Sequence, residues 1–169
     1  MDEHRVGLKP VIRRIWVDEL TVPTASVNWR FQWLWLYGFV HPQSGQTYWW
    51  LLPKVNIQLF NRVLLDFANH FDLGKHKQVI LVLDRAGWHT SDSVEVPDGI
   101  HLSFLPSHSP ELQPAERLWT ITNEPIANHY FESLDALEEV LFQRCRQILE
   151  RVDFVRGLTN FYWWSELGA

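Results

Sequence analysis

The stretch Val79-Ile-Leu-Val-Leu-Asp-Arg-Ala-Gly-Trp-His89 decides how this chain is read. Its first five residues are apolar without alternation, the pattern of a strand covered on both faces in an α/β sheet. It ends on a carboxylate, Asp84, at the strand edge where open α/β sheets gather ligands. Downstream, Leu105-Pro-Ser-His-Ser-Pro-Glu-Leu-Gln-Pro-Ala-Glu-Arg-Leu-Trp119 is a proline-rich turn that launches a helix with a second carboxylate, Glu116, in its first turn. Upstream, Met1-Asp-Glu-His-Arg-Val-Gly-Leu8 supplies a third acid, Asp2. Three carboxylates on separate elements suit a hard divalent cation, because Mg²⁺ takes oxygen ligands and keeps waters for a phosphate substrate. The set points to metal-assisted phosphoryl transfer. Singly, each acid has a plainer explanation. Asp84 is a turn residue, Glu116 answers a helix dipole, and Asp2 is a terminal residue prone to fraying.

The rest of the chain frames these segments. Residues 1–7 read as a short strand, and residues 8–30 as an irregular excursion with room for a short hairpin. Residues 31–40 and 46–52 are rich in strand formers and flank the turn signal Pro42-Gln-Ser-Gly45, which makes them a hairpin. Ile57, Phe60, Leu64, Phe67 and Phe71 recur at helical steps, with Asn56 as cap and Gly74 just past the end. Residues 78–83 and 100–105 are strands, and His89 falls at the start of a short helix between them. Pro125 stops the helix that Pro114 opens. Ser133 caps a last long helix whose buried face is Leu134, Leu137, Leu141, Cys145 and Ile148. A hairpin followed by strand–helix alternation predicts a mixed sheet with helices on its faces.

The length of 169 residues fits one domain. One cysteine, Cys145, rules out an internal disulfide and suits a reducing cytoplasm. Residues 31–40, the longest apolar run, are about half of what a membrane-spanning helix requires. A net charge of −5 is unfavourable for DNA binding, although bound cations would neutralise part of the acid cluster. No paired His/Cys spacing of the zinc type is present. The tryptophans at 33, 35, 49 and 50 read as packing residues, and Arg13, Arg14 and Arg30 as surface arginines.

These segments resemble the catalytic core of DDE-superfamily transposases, in particular bacterial insertion-sequence transposases related to mariner elements. The resemblance is carried by Asp2, Glu3, Arg5 and Gly7, then Asp84 and His89, then Pro106, Ser109, Pro110, Leu112, Pro114, Glu116 and Trp119. It runs from residue 2 to about residue 150. The interval from Asp84 to Glu116 is slightly shorter than is usual in the family. What the resemblance implies is a ribonuclease-H-like fold, a mixed five-stranded sheet flanked by helices, forming a single catalytic domain over residues 1–169. It implies catalysis and metal ligation by Asp2, Asp84 and Glu116 with two Mg²⁺ or Mn²⁺ ions, Asp84 touching both. The activity implied is DNA strand cleavage and strand transfer by a homodimer in the cytoplasm. The alternatives are a hydrolytic nuclease of the same fold and a non-catalytic remnant. His89, Arg85 and Arg117 are expected to contact DNA. We further expect the family's N-terminal DNA-reading helices to be missing and the first strand to be cut short, leaving Asp2 frayed.

Overall fold

A computed structural model describes residues 1–161. Its first sheet is an antiparallel meander of β1 (Asp2–Gly7), β2 (Trp33–His41) and β3 (Gln46–Leu52), with Asp2 opposite Gly38 and Gly38 opposite Trp49. The hairpin turn needs Gly45, which has φ +76° and lies so close to Val152 that a Cβ would fall 1.9 Å from its carbonyl oxygen. The second sheet pairs β4 (Val79–Leu83) in parallel with β5 (Ile100–Phe104).

The expected single five-stranded sheet is therefore corrected to sheets of three and two. They meet at one point. The Met1 amino group donates to the Val82 carbonyl at 2.8 Å, and the buried Gln113 amide donates to the carbonyls of Met1 (2.8 Å) and Val82 (3.4 Å). Too few residues of β1 run beside β4 to form a ladder. Those bonds are still enough to hold the strand end, since Met1 is buried and Asp2 is paired. These contacts oppose the fraying expected at Asp2.

Helices cover both faces. On one side α1 (Ile57–His70) packs Phe60, Val63, Leu64 and Phe67 against Tyr37, Phe39, Leu81 and Leu83. Asn56 caps it, its Oδ1 accepting from the Leu59 N–H at 2.8 Å. Its C-terminal left-handed residue is Asp72 (φ +51°), not Gly74, whose N–H instead goes to the Lys77 carbonyl. On the other side α2 (Glu116–Thr122), α3 (Leu134–Leu149) and α4 (Val152–Thr159) bury Leu118, Trp119, Cys145, Ile148 and Val155 over Leu36. Ser133 caps α3 as predicted. Helix α4 has no counterpart in the predicted elements, because only eight residues carry its pattern.

Residues 8–32 contain no helix or strand, only a bridge between Val11 and Ala127, so the short hairpin does not form there. The segment is pinned at its ends, by Arg13 to Asn128 and Thr120 and by Asn28 to the Phe131 carbonyl. Between the pins, Trp16 and Leu20 are almost wholly exposed.

Candidate active site

The architecture brings three distant acids to one place. Asp2 begins β1, Asp84 follows the last residue of β4, and Glu116 is the first residue of α2. All three line a cleft of about 360 Å³ whose other walls are Arg85, Gln113 and the 105–110 loop. Among the described residues, no three His, Cys, Asp or Glu side chains are drawn together tightly enough to enclose an ion.

Asp2 is held by α2. The Trp119 indole N–H donates to Asp2 Oδ2 at 2.8 Å, so Trp119 supports Asp2 rather than Glu116. His4, two residues on along β1 and so on the same face, stacks on that indole (5.0 Å between centroids, 15° between planes) and contacts Asn123 through Nε2 at 3.1 Å. Gly38 makes room, since a Cβ there would come within 2.7 Å of the Trp119 ring. Burial lowers the His4 pKa, which favours a neutral ring beside Asp2.

The acids repel one another. Burial raises the Glu116 pKa, the negative charge of Asp2 and a shared hydrogen bond with it add to that, and Asp84 adds more, to about 7 in all. Burial also raises Asp2, helped by the charge of Glu3 and opposed by the Trp119 hydrogen bond. Asp2 and Glu116 thus behave as a carboxyl pair that favours a shared proton near neutrality when no cation is present.

Asp84 is held differently. Its Oδ1 accepts from the Ala86 N–H at 3.0 Å and faces His89 Nδ1 at 2.8 Å. His89 lies in a turn, not a helix, its N–H closing back on the Ala86 carbonyl. Its other nitrogen, Nε2, lies 2.8 Å from Glu3 Oε1. Burial alone would lower the His89 pKa, but the bond and charge of Glu3, with those of Asp84, raise it overall. Both ring nitrogens face carboxylate oxygens, an arrangement that favours the doubly protonated imidazole.

Measured against the expected site, Asp2, Asp84, Glu116 and Arg85 come together. His89 is corrected: its side chain is fully buried and both nitrogens are engaged, so it has none to offer a DNA phosphate. Arg117 is exposed, lies over Phe161, and is not among the residues lining the cleft. Arg85 does line it, its Nε donating to the Leu105 carbonyl at 3.2 Å. Three residues escaped the sequence reading. Glu3 follows Asp2 along β1 and so points to the opposite face, where its partner is 86 residues away in sequence. Gln113 sits between Leu112 and Pro114 with no local signal of its clamp. His108, which lines the cleft, has a left-handed φ of +61° that its sequence does not announce.

A family model described as DDE superfamily endonuclease matches residues 1–138. The chain belongs to that family. A relative of this DDE-superfamily chain is the uncharacterized protein y4pE/y4sA of Sinorhizobium fredii (strain NBRC 101917 / NGR234). The two are 35% identical over 104 residues, which is 61% of this chain and 76% of that protein. Solved structures with the same fold include the Mos1 mariner paired end complex with Mn (18% identity, TM-score 0.60) and the Mos1 strand transfer complex (17%, 0.56). The Mos1 paired end complex with Mg is similar as well (19%, 0.56). Each of these comparisons covers 95% of this chain, which spans only 54–55% of the Mos1 chain. At such identities the likeness is one of fold. It agrees with the mixed α/β architecture described above.

Proposed function

We propose that this DDE-superfamily chain is the catalytic domain of a transposase that cuts DNA strands and joins the freed 3′-hydroxyl to a target. The proposal rests on one observation: Asp2, Asp84 and Glu116, on three separate elements, line a single cleft. The donor set fits a hard divalent cation, being all carboxylate, with burial first and then the charges of Asp2 and Asp84 disfavouring an ionised Glu116 until a cation balances it. An open arrangement is also what Mg²⁺ favours, since it is held by one or two carboxylates plus substrate phosphates rather than by an all-protein cage. Asp84 would hold two ions, Asp2 one of them and Glu116 the other. When bound, Mg²⁺ or Mn²⁺ lowers the pKa of an attacking water or 3′-hydroxyl and stabilises the leaving oxygen.

The chain's own residues supply position and charge. Trp119 fixes Asp2, and Gln113 ties the start of β1 to β4 so that Asp2 and Asp84 keep their spacing. Arg85, whose Nε donates to the Leu105 carbonyl at the cleft wall, would donate its remaining N–H groups to a DNA phosphate. No helix among the described residues is long and apolar enough to cross a membrane, which suits work on DNA in the cytoplasm. The test is a nicking and joining assay on short DNA with Mn²⁺ or Mg²⁺. Cleaved and joined products are expected. Cleavage without joining would leave a hydrolytic nuclease, and no Mn²⁺ binding at all would leave a non-catalytic remnant.

Action as a homodimer is part of the proposal. It is supported by the apolar side chains that segment 8–32 leaves in water, with Trp16 102%, Leu20 97% and Phe31 78% exposed. A second copy of the chain is the partner we assign to them. Trp16→Ser with Phe31→Ser is expected to shift the sedimentation coefficient from dimer to monomer without lowering Tm. A parent that sediments as a monomer at all concentrations would refute the dimer.

A further inference from the structure

Glu3 and His89 stand behind the cleft and line none of it, yet their side chains are almost wholly buried against each other. The Glu3 side chain is 3% exposed and that of His89 0%, while Asp84, which His89 also touches, is 57% exposed. Among the described residues no lysine or arginine pairs with Glu3. Its Oε1 faces His89 Nε2 at 2.8 Å and accepts from the Trp88 indole N–H at 3.4 Å. The imidazole packs between Phe60 (4.7 Å between centroids) and Trp88 (5.7 Å), which restricts its rotation. Replacing a buried pair of this kind with apolar side chains is often neutral or stabilising, so stability is a weak reason for its presence.

Its geometry offers a better one. Asp84 is an exposed residue just past a strand end, where a carboxylate would ordinarily rotate freely. Here Oδ1 receives both the Ala86 N–H and the Nδ1–H of His89, and no other hydrogen bond reaches the carboxylate among the described residues. Two donors on one oxygen fix the carboxylate plane and leave Oδ2 for the cleft. Glu3 completes the arrangement, because its bond to Nε2 sets which way the ring, and hence the Nδ1–H, points.

We infer that Glu3 and His89 are positioning residues that aim Asp84 Oδ2 at a divalent cation in the cleft, with Glu3 acting only through His89. This rests on the metal site of the proposed function. Partners that orient a ligand in this manner typically change metal affinity by about 10–100-fold when removed.

The test is calorimetric titration of the full chain with Mn²⁺, alongside its thermal unfolding in chelator. Glu3→Leu with His89→Phe replaces the pair by apolar side chains. It is expected to melt no lower than the parent yet to bind Mn²⁺ at least about tenfold more weakly. A merely structural role predicts instead that affinity follows stability. Glu3→Gln, which keeps an acceptor for Nε2, is expected to stay within about threefold of the parent, midway to the smallest loss above on a logarithmic scale. Should the double variant fail to fold, His89→Gln decides, since its amide cannot reach both carboxylates at once. Parental affinity in the folded double variant, or in His89→Gln where that variant decides, overturns the inference while the metal site stands. A parent that binds no Mn²⁺ removes the metal site and this inference with it.

Discussion

Asp84→Asn is expected to leave the chain folded and to remove its metal-dependent DNA cleavage. The fold should survive because Asn keeps an oxygen where Asp84 Oδ1 accepts from the Ala86 N–H and faces His89. Asp84 is also more than half exposed, so little packing is at stake. Cleavage should not survive. A neutral amide is a poor ligand for a hard cation, and such a cation is worth several kcal/mol of transition-state charge stabilisation. At about 1.36 kcal/mol per factor of ten, the loss is on the order of a thousandfold or more. Gel quantitation of nicked plasmid, beside a circular dichroism melt, measures both halves. Cleavage by the variant at the parental rate would sink the assignment of Asp84.

The second large effect concerns Glu116 and pH. A carboxyl whose folded pKa is raised binds more protons folded than unfolded, so its contribution to stability falls as pH rises. For Glu116 the fall runs from its ordinary value of 4.5 to about 7. Without metal, Glu116→Gln is expected to melt close to the parent at pH 5 and above it at pH 8, by less than the full shift implies because solvent screens a half-exposed carboxylate. Comparing variant with parent at each pH removes the opposing titration of the Met1 amino group, whose pKa burial lowers to about 6. Cation binding reverses the order. Mn²⁺ at a hundred times its Kd adds about 2.7 kcal/mol to the parent, and the variant should gain far less. A parent whose melting temperature ignores both millimolar Mn²⁺ and the Glu116 substitution at pH 8 contradicts the acid cluster as a cation site.

Much of this was legible before any coordinates. The unbroken apolar run of residues 79–83 does form a strand ending just before Asp84, but it is not covered on both faces as expected, since Ile80 is 72% exposed. The proline turn placed Glu116 at a helix start, and α2 does begin there. Segment 8–32 was recognisable as irregular but not as exposed, because Trp16, Leu20 and Trp29 look like core residues until the core is seen to be complete without them.

What the chain's sequence determined by itself was local: the caps at Asn56 and Ser133, the hairpin through Gly45, the α1 face, and three acids each at the end or start of an element. These follow from periodicity, turn chemistry and capping, which act over a few residues. The tertiary structure alone decided how the acids are held. Trp119 bonds to Asp2 rather than to its near neighbour Glu116, Gln113 joins two strands, and Glu3 reaches Asp84 through His89 across the chain. It also split the five strands into two sheets. Hydrogen bonds between residues about a hundred positions apart leave no periodic trace, because nothing between the partners has to alternate, repeat or turn in any set way for them to meet.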